Sequence, residues 1–213
     1  MDKLTRIESL AVPLLLDDVD TDVITPLRRI LEGIPSMVEH AFEVLRFRSD
    51  GSPEPGCVLN DPRFKSAEIL LAGRNFGCGS SRETAVWAIR GLGVRCIVAP
   101  SFGDIFHSNC FKNGVLPIVL PAVEVATLGE EAGQAAGIFV VDLEACRITT
   151  PRGRSAVFEI NVLRRAALLQ GLDDLGLTLQ RLDAIDAFEN RDRERRPWAY
   201  LGGESRRHGP GRR

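Results

Sequence analysis

Apolar residues recur along the chain in short bursts separated by polar punctuation. The burst at residues 9–16 predicts a first strand. An acidic loop follows, Asp17-Asp18-Val19-Asp20-Thr21-Asp22, and Pro26 closes the short apolar pair Val23-Ile24. Met37, Val38, Ala41, Phe42 and Leu45 recur at helical spacing and predict a helix over 36–46. Residues 49–62 are rich in Pro, Gly, Asp and Ser and predict a surface loop. From there the pattern becomes regular. Strands are predicted at 67–72, 94–99, 115–120 and 138–143, with helices at 83–91, 104–112 and 123–136. Strands alternating with short helices predict βα units around a largely parallel sheet. A hairpin across Pro151-Arg152-Gly153-Arg154 and helices at 162–170 and 182–190 complete the pattern. The fold class is α/β.

After Asn190 the periodicity is lost. Eight arginines stand against three acids between residues 191 and 213, among frequent Gly and Pro. This predicts one domain over 1–190 and a basic, disordered tail over 191–213. A contact of the tail with RNA or a protein partner is the alternative.

Bulk properties narrow the function classes. A chain of 213 residues that is 44% hydrophobic can bury a core as one domain. A net charge of −2 argues against a dedicated nucleic-acid binder. No apolar run approaches the roughly 18 residues that span a bilayer. The polar start, Met1-Asp2-Lys3-Leu4-Thr5-Arg6, lacks a signal-peptide cleavage pattern, so a cytoplasmic location without membrane contact is expected. Cys57, Cys78, Cys96, Cys110 and Cys146 are scattered, with no CxxC pair. That spacing signals neither a zinc site nor a self-contained iron–sulfur site. Reduced, mostly buried thiols are expected, with Cys78 set apart by its place in a glycine run.

That run carries the candidate chemistry. Gly73-Arg74-Asn75-Phe76-Gly77-Cys78-Gly79-Ser80-Ser81-Arg82-Glu83 joins a predicted strand to a helix expected to begin near Ser81. Ligands of open α/β sheets collect at the carboxyl ends of strands. Gly77 and Gly79 let the backbone approach a ligand closely, and a helix N-terminus with Arg82 favours a carboxylate or phosphate. Neither GxxxxGK nor GxGxxG is present, and GxSxG is absent too. Two readings stay open. Ser80 and Glu83 have the spacing of a capping box, which would account for both. The doubled serine and adjacent arginine exceed what a cap needs and suit an anion site around a hydroxyl.

Asp20-Thr21-Asp22 with Pro26, Arg28 and Arg29 forms a second cluster. Its spacing favours an Asx-type turn and a solvated helix start, against an orienting acid with arginines for an anionic substrate. His107 reads as a packed or surface histidine; Ser-His-Asp chemistry could run only through it or His40. Asn109 is a further site candidate, and Ser101 or Asp104 is a natural helix cap.

Together, the run at 73–83, the Asp20-Thr21-Asp22 turn and Ala99-Pro100-Ser101-Phe102-Gly103-Asp104-Ile105-Phe106 resemble the bacterial small-subunit family of 3-isopropylmalate dehydratases, in the aconitase superfamily. Phe158-Glu159-Ile160, Arg164-Arg165 and Gly171-Leu172-Asp173-Asp174-Leu175-Gly176-Leu177-Thr178-Leu179 strengthen the likeness, which covers residues 8–190. The resemblance implies a swivelling β/β/α fold and a heterodimer with a large subunit that carries a 4Fe–4S cluster, none being held by this chain. It implies a small hydroxy-dicarboxylate substrate, isopropylmalate, isomerised by dehydration and rehydration in leucine biosynthesis. By the same resemblance Ser80 is the catalytic serine and Asp22 supports it. Ser81 and Arg82, with the backbone at Gly79, contact the substrate carboxylate, and Arg28 or Arg29 is a candidate substrate arginine. Residues 31–37 are candidates to meet the alkyl group. Thr84 stands where the family commonly has His, Asn161 where it has Asp, and Ala166-Ala167-Leu168-Leu169 where a His–Cys pair is usual. The alternatives are a paralogous hydratase for citramalate, dimethylmalate or homoaconitate, and a non-catalytic module that binds anions or RNA.

Overall fold

The expected first strand is two strands that enter different sheets: β1 (Arg6–Ser9) and β2 (Ala11–Leu14). The computed structural model describes residues 1–134 and 137–200. At the crossing, Ser9 Oγ donates to the Leu10 carbonyl and accepts the Glu68 amide at 2.8 Å. β1 pairs antiparallel with β6 (Phe139–Asp142), and β7 (Arg147–Thr149) and β8 (Ser155–Val157) follow as the predicted hairpin. β2, β3 (Ile69–Ala72), β4 (Cys96–Ala99) and β5 (Leu116–Val119) form a parallel sheet in that order. The expectation of a largely parallel sheet therefore holds for one of the two sheets among the described residues.

The parallel sheet is apolar on both faces, as crossover connections require. Alternate side chains of one strand point to opposite faces. Leu70, Ala72, Ile97 and Ala99 enter one core with Ala85, Val86 and Ile89. Ile69, Leu71, Cys96 and Val98 enter a second core with Leu128, Phe139, Val141 and Ile148. The sheet is thus a wall shared by two cores, one of which reaches the antiparallel sheet.

Helices α1 (Thr21–Ile24), α2 (Leu27–Glu32), α3 (Ile34–Glu39) and α4 (Glu43–Arg46) occupy the stretch between β2 and β3. The single helix expected at 36–46 is broken into α3 and α4. Phe42 sits between them at φ 57°, a rare state for a bulky residue, and is 1% exposed. Its amide donates to the Ile24 carbonyl at 2.9 Å. Ring burial and that bond override helical continuation. Next come α5 (Thr84–Gly91), α6 (Asp104–Lys112), α7 (Ala122–Gln134) and α8 (Val162–Gln170). α6 and α8 have the predicted bounds.

A second compact unit begins at Asp174, not after Asn190. It holds α9 (Asp174–Leu179) and α10 (Leu182–Arg195), so the expected boundary falls inside a helix. Helix continues past Asn190 because the late charges pair: Arg196 forks onto Asp192 at 2.7 and 2.8 Å, an i,i+4 pair. The rest of the expected tail, 201–213, lies outside the described residues. Among the described residues no helix is long and apolar enough to cross a membrane.

Candidate active site

β2, β3 and β4 end side by side, and the chain beyond each strand stays beside its neighbour. Asp20 bridges Cys78 and Phe76 bridges Phe102, both in parallel fashion. Main-chain bonds join the three loops: Asp18 N to Arg74 O at 2.8 Å, Gly77 N to Val19 O at 2.7 Å, Thr21 N to Cys78 O at 2.9 Å and Phe76 N to Ser101 O at 3.0 Å. Three segments distant in sequence thus meet at the carboxyl end of the parallel sheet, where α/β proteins bind ligands.

The serine loop is not a helix cap. α5 starts at Thr84, later than expected, and Glu83 precedes it without a side-chain cap bond. The capping box is not formed. Ser80 and Ser81 are exposed. The Ser80 amide goes to Thr21 Oγ1 at 3.2 Å, and that hydroxyl donates to the Ser80 carbonyl at 3.4 Å. Gly77 and Gly79 make the approach with φ of 73° and 92°.

Asp20 caps α1, its carboxylate accepting Val23 N at 2.7 Å. That leaves Asp22 to receive the Arg82 guanidinium, which bonds it directly through Nη1. Arg82 is 23% exposed in its side chain and Asp22 56%. Asp22 and the loop residues Gly79, Ser80, Ser81 and Arg82 therefore share one surface.

Arg28 and Arg29 go elsewhere. Both fork onto Glu43, Arg28 at 2.7 and 3.0 Å and Arg29 at 2.7 and 2.9 Å. Glu43 is buried, its side chain 7% exposed. Burial opposes its ionisation, but the bonds from Arg29 and Arg28 outweigh it and hold the carboxyl below the usual range. Arg29 is also tied to Glu32, whereas Arg28 is 68% exposed in its side chain. The two line a cleft of about 570 Å³ with His40, Val44, Phe47 and Arg48. Because the folded pKa of Glu43 is depressed, its stabilisation is complete above the unfolded value near 4.3 and fades as pH falls through the folded one. Glu43→Gln should lose about 2 kcal/mol in urea unfolding at pH 7. The gap to wild type should narrow at pH 3.

Neither histidine builds a triad. His107 sits between the rings of Phe102 and Phe111, at 5.5 and 5.2 Å. Burial and the Arg164 charge hold its imidazole below the usual range. His40 Nδ1 faces the Ser36 carbonyl at 3.0 Å. Asn109 is buried in α6. Cys96 and Cys110 lie in the cores with raised thiol pKa values. Burial and then Asp20 and Asp18 push the Cys78 thiol up as well, which disfavours the thiolate. Among the described residues no three His, Cys, Asp or Glu side chains are grouped to hold a metal.

Three residues that make these contacts have no role of their own in the sequence reading. Thr21 is the buried bridge to Ser80, and its only signal is its place between two aspartates. Glu43 meets Arg29 across 14 residues of chain, Asn113 donates to the Glu83 carboxylate across 30, and nothing local marks either.

An aconitase C-terminal domain model matches residues 4–123. A model of the C-terminal domain of 3-isopropylmalate dehydratase small subunits matches residues 174–200. The 3-isopropylmalate dehydratase small subunit of Rhodospirillum centenum is 49% identical over 202 residues, 93% of this chain and 99% of the relative. That of Paramagnetospirillum magneticum is 48% identical over 201 residues, 93% of this chain and 100% of the relative. The crystal structure of a 3-isopropylmalate dehydratase from Methanocaldococcus jannaschii aligns with a TM-score of 0.64 at 26% identity, covering 85% of this chain and 99% of that one.

Proposed function

Since the chain belongs to the 3-isopropylmalate dehydratase small-subunit family of the aconitase superfamily, we propose that it is the small subunit of a heteromeric hydro-lyase in leucine biosynthesis. With its large subunit it interconverts 2-isopropylmalate and 3-isopropylmalate. The substrate loses a proton from the carbon beside one carboxylate and hydroxide from the neighbouring carbon. Water then adds with the two positions exchanged.

The observation that carries the site assignment is the exposed Ser80 on a loop fixed by Thr21, with the Arg82–Asp22 pair beside it. Ser80 takes the proton as the alkoxide, which needs an electropositive setting. Arg82 supplies it. Asp22 occupies part of the guanidinium's donor fork and aims it, leaving the remaining N–H groups for a substrate carboxylate. Ser81 and the main chain at Gly79 complete that contact. Charge developing on the carboxylate during proton loss strengthens these bonds. Arg28 and Arg29 both anchor Glu43, and Arg28, the more exposed of the two, is the candidate to meet substrate. Lewis-acid help for the departing hydroxyl falls to the large subunit, through a 4Fe–4S cluster.

Reconstitution with the cognate large subunit tests the reading. Turnover should require both subunits, and isopropylmalate should be preferred over citramalate, dimethylmalate and homoaconitate. A higher kcat/KM for one of those would overturn the substrate assignment. Arg82→Lys keeps the charge but loses the fork. It should lower kcat/KM about 10- to 100-fold, the worth of one charge-assisted bond.

A further inference from the structure

We propose that Glu83 and Asn113 are positioning residues, which fasten the downstream end of the serine loop to the end of α6. This rests on the reading of Ser80 as proton acceptor. The loop has two ends to fix. Upstream, Thr21 Oγ1 holds both main-chain polar groups of Ser80. Downstream, Glu83 is where loop becomes helix, its carbonyl accepting Val86 N at 3.0 Å and Trp87 N at 3.2 Å. Its carboxylate does not reach back to Ser80. It accepts Asn113 Nδ2 at 2.8 Å, across 30 residues of sequence.

The Asn113 carboxamide has one workable orientation. The Trp87 indole N–H can only donate, so the amide oxygen must face it, and they meet at 3.0 Å. This turns Nδ2 toward Glu83, where the carboxylate can only accept, and toward the Asn109 carbonyl at 2.9 Å. Donors and acceptor are all engaged, so the amide is locked and Glu83 with it. Only Ser81 and Arg82 lie between the two fixed points, and the Arg82 amide folds onto the Ser80 carbonyl at 2.8 Å. The tie thereby sets where the Ser80 hydroxyl and the Arg82 guanidinium project. Misplacing reacting groups by about 1 Å can cost on the order of 10²-fold in rate.

The test is kinetic, in the reconstituted complex. Glu83→Ala and Asn113→Ala should each lower kcat about 10²-fold, more than they change KM. Glu83→Gln keeps an acceptor for Asn113 and should stay within a few-fold of wild type. The double alanine variant should be no slower than either single variant, because both remove one tie. In a Trp198→Phe background, Asn113→Ala should shift the emission of Trp87. Three results would each overturn the tie: Glu83→Ala at wild-type kcat, Glu83→Gln as slow as Glu83→Ala, or losses that multiply in the double variant. Ser80→Ala as a parallel arm separates the two levels. If it is dead and Glu83→Ala is unaffected, only the tie is wrong. If it is inert, the proton-acceptor reading fails, and the tie has nothing to position.

Discussion

Ser80→Ala should cut kcat of the reconstituted complex about 10³-fold, within the range that a positioned general base contributes. Thermal stability should not change. The hydroxyl is exposed, and the loop is held through the Ser80 main chain by Thr21. Truncation to alanine leaves both bonds in place. Arg82 keeps its bond to Asp22, so carboxylate binding survives and KM should move little. A capping serine would behave in the opposite way, with a stability loss of about 1 kcal/mol and no loss in turnover. Steady-state kinetics beside a melting curve decides between them. Wild-type kcat in the variant would end the assignment of Ser80 as base.

Gly77→Ala should be strongly destabilising. An added Cβ would fall 2.2 Å from Phe106 Cγ and 2.5 Å from Cδ1. Phe106 cannot yield. It is 2% exposed and meets Phe76 edge-on at 5.5 Å and Phe102 in a stack at 6.5 Å. The φ of 73° adds a left-handed penalty. Overpacking and backbone strain together should cost about 3 to 4 kcal/mol. Gly79→Ala is the comparator. Its φ is 92°, but the nearest atom to an added Cβ is 3.4 Å away. Only the strain of about 1 to 2 kcal/mol should appear there. Urea midpoints of the two variants should differ clearly, and equal midpoints would contradict the packing of Phe106 against this loop.

The parallel half of the fold was legible because its strands are short apolar runs bounded by Gly and Pro. α6 and α8 were legible because their apolar spacing is bounded by turn residues. The division at Leu10 was not. Apolar character marks a strand but does not say which sheet it joins. Nor was the break at Phe42, where a bond to Ile24 and ring burial beat helical spacing. In the site, the glycine–serine run marked Gly79, Ser80, Ser81 and Arg82, while only the family resemblance joined Asp22 to them, and the fold brings all five to one surface. The placement of Arg28 and Arg29 was hidden because it depends on Glu43, a residue that nothing in its own neighbourhood singles out. The helix beyond Asn190 was missed because its stability comes from charge pairs such as Arg196–Asp192, which composition alone reads as solvated disorder.

Part of each seam between the three loops is made of peptide groups: Val19 O, Arg74 O, Cys78 O and Ser101 O each accept from a neighbouring main chain. Peptide groups are present whatever side chain a residue carries. That part of the scaffold is therefore insulated from the letters written on it. Exchanging Ser81, or the residues that meet the substrate's alkyl end, changes what is recognised without changing what holds the segments together. A lineage can retune such a surface one residue at a time and pass through folded intermediates at every step. The exceptions are the glycines with no room for a Cβ, Gly73, Gly77 and Gly103, and the side chains that cross the seams, Asp17, Asp18, Thr21 and Ser101, and variation should be narrow there.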